Sequence, residues 1–169
     1  MTDVVLTLEP LTAAAFAPFG DVVEVRDSND NFSINYGLTQ RHHKLAQVDV
    51  GDGFGIINIF RSKPIELPLR IKLMERHPLG SQSFTPLSGN PYVVVVAQAG
   101  EAPAALRPEK LHAFLASPEQ GVNYHKGTWH HYCLTLNDAS NFLVVDRGGE
   151  GHNCDEVEFD EQLTVTVSR

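Results

Sequence analysis

The 169 residues carry 13 Lys and Arg against 21 Asp and Glu, a formal charge of −8, with 42% apolar and 20% charged residues. That is an ordinary composition for a folded domain, and the acidic balance argues against nucleic acid or an anionic membrane as the main partner. Two cysteines, Cys133 and Cys154, are too few for a disulfide framework, and the start Met1-Thr2-Asp3-Val4-Val5-Leu6 has no basic, apolar leader, so the expected setting is a reducing cytoplasm.

No repeat, low-complexity tract or long linker interrupts the chain, and the length predicts a single domain over residues 1–169. Short β-prone runs alternate with Gly, Pro, Asn and Asp. In chain order, a short helix is expected over Thr12–Pro18 with Thr12 as N-cap, after which Asp21–Val25, Gln47–Val50, Gly55–Arg61, Leu69–Glu75, Gln82–Leu87 and Tyr92–Ala97 read as strands. A second helix is expected around Pro108–Ala116, followed by strands at Gly121–Tyr124, His130–Leu136, Phe142–Asp146 and Leu163–Val167. Many short strands with few helices predict a mainly β barrel or sandwich. Tyr92–Ala97 is the longest apolar run, far short of the ~20 residues a membrane-spanning helix needs. Its uninterrupted β-branched side chains instead predict a central strand with no polar face. The acidic run Asp155–Glu161 reads as a solvated face.

Two stretches carry chemistry. In the first, Glu75 and His77 stand two apart on a strand and share a face; Pro78-Leu79-Gly80 turns the chain, Gln82 opens the next strand, and Gly89 closes the hairpin. In the second, Asn123-Tyr124-His125 ends a strand, Gly127 turns it, and Trp129-His130-His131 begins another. Period two sends His130 and His131 opposite ways, so only one of them points inward. Asn58 and Arg61, polar residues in an otherwise apolar strand, are read as substrate-binding, with Gln82 and Trp129 beside them. His42-His43, Arg147 and Cys154 read as surface or structural residues.

Glu75-x-His77, four residues, Gln82, six residues, Gly89, and then His125-x-Gly127-x-x-His130, resemble the two motifs of the cupin superfamily in spacing. Glu75 stands where the first His of that pattern falls, Gln82 where the acidic residue falls, and His125 where a Pro falls. The resemblance makes His130 the inward-facing histidine, and it implies that Glu75, His77, Gln82 and His130 form a set of two nitrogens and two oxygens suited to a borderline divalent metal such as Ni, Zn, Fe or Mn. The chain also resembles the ureidoglycolate lyase family through Ile34-Asn35-Tyr36-Gly37-Leu38, Glu75-Arg76-His77-Pro78-Leu79-Gly80-Ser81-Gln82, Glu119–His125, Trp129-His130-His131 and Asp146-Arg147-Gly148-Gly149. Tyr36 departs from that family's Asn-Asn-Gly segment. The resemblance implies a cupin-like fold, a homodimer, an association with nickel, and cleavage of (S)-ureidoglycolate to glyoxylate and urea in allantoin degradation; for that reaction without metal, His130 or His125 is the expected base, Tyr124 or His125 the acid, and Arg61 a bidentate clamp on the substrate carboxylate. Two other readings stand beside it: a metal-dependent cupin of another class acting on a small hydroxy acid, and a non-catalytic cupin that binds a small acid.

Overall fold

The computed structural model describes residues 2–100, 102–159 and 163–168. Strands β1 (Thr2–Thr7) and β2 (Glu9–Pro10) lead into a one-turn helix α1 (Ala13–Phe16), and strands β3 (Gly20–Val23), β4 (Asn31–Ile34), β5 (Thr39–His42) and β6 (Phe54–Ser62) follow. The middle of the chain supplies β7 (Leu69–Ile71), β8 (Leu73–Arg76), β9 (Gln82–Pro86), β10 (Tyr92–Ala97), β11 (His112–Ala116) and β12 (Gly121–Tyr124). It ends in β13 (Trp129–His130), β14 (Leu134–Thr135), β15 (Ser140–Gly148), β16 (Asp155–Glu158) and β17 (Leu163–Ser168).

All but β4 and β5, which pair only with each other, form three stacked layers. A seven-stranded sheet in the order β16-β8-β13-β10-β11-β2, with β14 also on β10, lies between a five-stranded sheet β3-β12-β9-β15-β6 and a three-stranded sheet β1-β17-β7. The two cores show the layering. Val93, Val95, Ala97, Met74 and Trp129 pack with Ile71, Leu6 and Val167 on one side of the central sheet. Tyr92, Val94 and Val96 pack with Phe84, Val122, Phe142 and Val144 on the other. Every residue of β10 is therefore buried, which is why its sequence has no polar face. The mainly β expectation holds, in the form of layered, open sheets rather than a closed barrel among the described residues.

The helix near the amino terminus is shorter than expected, but Thr12 caps it, its Oγ1 accepting the Ala15 N–H at 3.2 Å. The expected helix over Pro108–Ala116 is corrected: only Pro108–Lys110 winds, as a 3₁₀ turn, and His112–Ala116 is a strand antiparallel to β10. Only Ala113, Phe114 and Ala116 of this strand are buried, and so short an apolar run is not told from a helix segment by periodicity. Gln47–Val50 is likewise no strand. It crosses the outer face of the five-stranded sheet, tied there by Ser81, whose Oγ accepts the Asp49 N–H at 2.8 Å. Within the acidic run, Asp155–Glu158 pairs with β8, leaving Glu156 and Glu158 exposed, while Asp155 meets Arg76 at 2.8 Å. Asp160 and Glu161 lie outside the described residues.

Candidate metal centre and active site

The site sits where the central and five-stranded sheets face each other, one register step beyond their shared apolar core. On the five-stranded sheet, Phe84 pairs with Val122 and Val144, all core residues. Two residues along, Gln82 pairs with Tyr124, on the same inner face. On the central sheet, His130 pairs with Glu75, while the neighbouring Trp129 and Met74 point into the opposite core. His77 lies in the turn after β8, held by the Gly127 N–H, which donates to the His77 carbonyl at 2.9 Å. Gly127, at φ +79°, makes the turn that returns the chain to His130.

The geometry fixes which atoms face inward. His77 Nδ1 lies 2.7 Å from the Asn153 carbonyl, and His130 Nδ1 lies 3.1 Å from the Thr128 carbonyl. A carbonyl only accepts, so both rings carry a hydrogen on Nδ1 and, when neutral, a bare lone pair on Nε2. His77 Nε2 then faces Gln82 Oε1 at 3.1 Å. That amide cannot be turned round without loss, because Gln82 Nε2 donates to Asp146 Oδ2 at 3.1 Å. His130 Nε2 is buried, has no hydrogen-bond partner, and stands 3.4 Å from Glu75 Oε1. The His130 imidazole beside Glu75 holds its carboxyl below the usual carboxylate range, with burial opposing it.

Four acceptor atoms thus converge with no donor between them among the described residues. One ligand atom from each of Glu75, His77 and His130 lies within 4.8 Å of the others. Lone pairs facing one another are repulsive unless a cation lies between them, whether a proton or a metal ion. Each imidazole also has its far N–H bonded to a backbone carbonyl, the support that metal-binding histidines receive. The residues therefore fit a divalent cation held by two imidazole nitrogens, a carboxylate and an amide oxygen. A second group, Glu75, Cys154 and Glu156, shares Glu75, but Cys154 and Glu156 are exposed.

Other residues singled out in the sequence fall in different places. Tyr124 stacks on His130, with ring centroids 4.3 Å apart and planes at 9°; burial pushes its phenol well above the usual range, so it keeps its proton at neutral pH. Asn58 shares the inner face but reaches the centre only indirectly, donating to Asp146 Oδ1 at 3.1 Å. Arg61, three residues on, is exposed on the opposite face of β6, so the structure does not bring the expected carboxylate clamp to the centre. Trp129 is fully buried in the other core, under the Arg76 guanidinium at 4.6 Å, and lines no part of this centre. His125 lies on the outer face of the five-stranded sheet, 3.0 Å from Asp21, in a groove with Lys126, Asp49 and Ser81. His131 is buried, and that burial lowers its imidazole below the ordinary value, keeping it neutral. Arg147 pairs not with Asp146 but with Asp52, at 2.7 Å, and with the Val50 and Glu150 carbonyls. Gly80 leaves it room, since a Cβ there would stand 2.8 Å from Arg147 Cβ.

Asp146, Asn153 and Thr128 orient the centre, and sequence reasoning missed them. Thr128 and Asn153 act on the two imidazoles through backbone carbonyls, which leave no mark on residue type. Asp146 was visible in part: it shares the alternate face of β15 with Phe142 and Val144.

Comparison with known proteins adds to this geometry. A family model described as ureidoglycolate lyase matches residues 3–166. The chain belongs to the ureidoglycolate lyase family. A ureidoglycolate lyase of Pseudomonas paraeruginosa is 55% identical over 164 residues, covering 95% of each chain. One of Pseudomonas syringae pv. tomato is 53% identical, covering 96% of this chain and 94% of its own. Among solved structures, a dTDP sugar isomerase from Desulfovibrio desulfuricans is similar at a TM-score of 0.47 and 16% identity, covering 86% of this chain and 88% of its own. The family's name describes a lyase, and the acceptor-lined centre lies within the matched residues.

Proposed function

We propose that this protein is a carbon–nitrogen lyase that cleaves ureidoglycolate to glyoxylate and urea, with Glu75, His77, Gln82 and His130 as the core of its active site. The observation that carries the reading is the convergence of four acceptor atoms, one of them the orphaned Nε2 of a buried histidine, in a chain 55% identical to a ureidoglycolate lyase over 95% of its length. Ureidoglycolate bears a hydroxyl and a ureido nitrogen on one carbon, next to a carboxylate. As the hydroxyl proton leaves, its oxygen becomes the aldehyde oxygen of glyoxylate, the carbon–nitrogen bond breaks with its electron pair, and the nitrogen takes up a proton to become urea. No water is consumed and no covalent intermediate is required, so general acid–base groups worth about 10²–10⁴-fold each suffice.

Glu75, His77, Gln82 and His130 would hold a divalent metal, with nickel the ion the family resemblance implies. When bound, such an ion supplies Lewis acidity toward the carboxylate and hydroxyl oxygens. The chain's own groups do the rest. Glu75, held ionised beside His130, keeps a negative charge in the pocket, and Tyr124, stacked on His130, is the proposed donor toward the leaving nitrogen. The free lone pair on His130 Nε2 also favours a metal-free version in which that atom takes the hydroxyl proton itself.

The protein is proposed to act as one domain, in the reducing interior of the cell, as a homodimer. Cys133 and Cys154 are free thiols, which agrees with a reducing setting. Tyr36 and Leu38, at the tip of the β4–β5 hairpin, and Ile57 and Ile59, on the outer face of the edge strand β6, are exposed apolar residues that a second copy would cover. Sedimentation analysis is expected to give a dimer mass; a monomer at micromolar concentration would reject that part. For the reaction, purified protein mixed with ureidoglycolate is expected to yield urea and glyoxylate in equal amounts. Ammonia and carbon dioxide without urea would instead identify an amidohydrolase. Activity lost on chelation and regained with nickel would support the metal version, whereas activity indifferent to both would leave His130 as the base.

A further inference from the structure

Gln82 is an amide where the cupin spacing has a carboxylate, and its surroundings explain why. Its Nε2 donates to Asp146 Oδ2 at 3.1 Å, and Asn58 Nδ2 donates to Asp146 Oδ1, also at 3.1 Å. Gln82, Asp146 and Asn58 come from β9, β15 and β6, three adjacent strands of one sheet. An ionised carboxyl group only accepts, so Asp146 compels both amides to present their NH₂ groups to it. Gln82 must then aim Oε1 at His77 Nε2.

We infer that Asp146 is a positioning residue that keeps the centre open to a cation and makes an amide necessary at position 82. The alternative arrangement shows what it prevents. Were the Gln82 amide reversed, its NH₂ would donate to the His77 lone pair, the two groups would satisfy each other, and a donor would stand where a cation belongs. A carboxylate at position 82 would avoid that reversal, but it would stand about 3 Å from Asp146, with two negative charges in contact. The negative charge that the motif places on the ligand has therefore moved one layer outward, to Asp146, and the amide passes its polarity inward.

The inference makes a paired substitution informative. Asp146→Asn is nearly isosteric, yet its own NH₂ can donate to Gln82 Oε1, and the reversed amide becomes the satisfied one. In Gln82→Glu with Asp146→Asn, the NH₂ of position 146 donates to a carboxylate at 82, its oxygen still accepts from Asn58, and the centre again faces acceptors only. Nickel binding to the apo protein, measured by isothermal titration, is expected to weaken by about 10–100-fold in Asp146→Asn, the usual cost of losing an outer-layer partner. The double variant is expected to recover wild-type affinity or exceed it, with thermal unfolding midpoints confirming that all three proteins fold. Wild-type affinity in Asp146→Asn, or a double variant as weak as the single, would overturn the inference.

The affinity test rests on the metal reading, so the amide is also read without metal. In ¹⁵N-edited NMR of the apo protein, the Gln82 NH₂ protons are expected to show no NOE to the His77 ring in the wild type and a clear one in Asp146→Asn. An NOE to His77 in the wild type, or none in either protein, would overturn the positioning role whatever the titration gives. Failure of the wild type to bind nickel, with the expected NOE pattern, would remove the metal reading and leave the role of Asp146 standing.

Discussion

On the inner face of the five-stranded sheet, Gln82 meets His77 with acceptor facing acceptor, and His130 Nε2 across from it has no partner. On the outer face of the same sheet, His125 meets Asp21 at 3.0 Å and Lys126 meets Asp49 at 3.3 Å. Both places hold histidines and carboxylates, and adjacent residues divide between them at the strand ends: Tyr124 in and His125 out, Gln82 in and Ser81 out. In the outer groove Lys126 and Asp49 already pair with each other in solvent, and His125 already has Asp21 as a partner. The inner centre is electrostatically incomplete, and that is what equips it to take a cation or a proton from a substrate. Unmatched hydrogen-bonding capacity is what separates the two places.

The comparison can be broken most sharply at the two histidines. His77→Ala and His130→Ala are each expected to lower turnover of ureidoglycolate by about 10²–10⁴-fold, the range of a lost acid–base group, with an unchanged far-ultraviolet circular dichroism spectrum. Turnover near that of the wild type in either variant would take that residue out of the mechanism. Next comes Trp129, neighbour of His130 in sequence but buried in the other core. Trp129→Ala is expected to cost about 3–5 kcal/mol of stability in denaturant unfolding. A fully stable variant that had lost only activity would mean that Trp129 faces the substrate after all.

A smaller effect is expected from Glu75. Its folded-state pKa is lowered from the ordinary 4.5, so the stability it contributes is complete above pH 4.5 and is lost as the pH falls through the lowered value. The unfolding midpoint should therefore fall more steeply below pH 4.5 in the wild type than in Glu75→Gln. Parallel curves would mean that the contact with His130 contributes nothing. Smallest of all, His125→Ala on the outer face should change stability by no more than about 1 kcal/mol, as for other exposed pairs, and turnover by less than about threefold. A large loss of turnover there would move the active site to the outer groove.

Much of this was legible in the sequence. Glu75 near the end of β8, His77 just past it, and His130, three after Gly127, come together as their spacing implies, because strand ends and tight turns are local properties. The central placement of Tyr92–Ala97 was legible for the same reason. Arg61 and Trp129 were misplaced because a strand's inward face depends on which neighbour it pairs with, and that is set across the sheet. His112–Ala116 read as helix because its partner β10 lies outside any local window. The Asp146–Gln82 contact spans 64 residues and joins two strands whose pairing no short pattern announces.

The most direct test of the central claim is to assay urea released from ureidoglycolate by the wild type, His130→Ala and His125→Ala side by side. Urea and glyoxylate from the wild type and His125→Ala, with almost none from His130→Ala, is the predicted result. Loss of urea in His125→Ala with retention in His130→Ala would contradict the account and place the chemistry on the other face of the sheet.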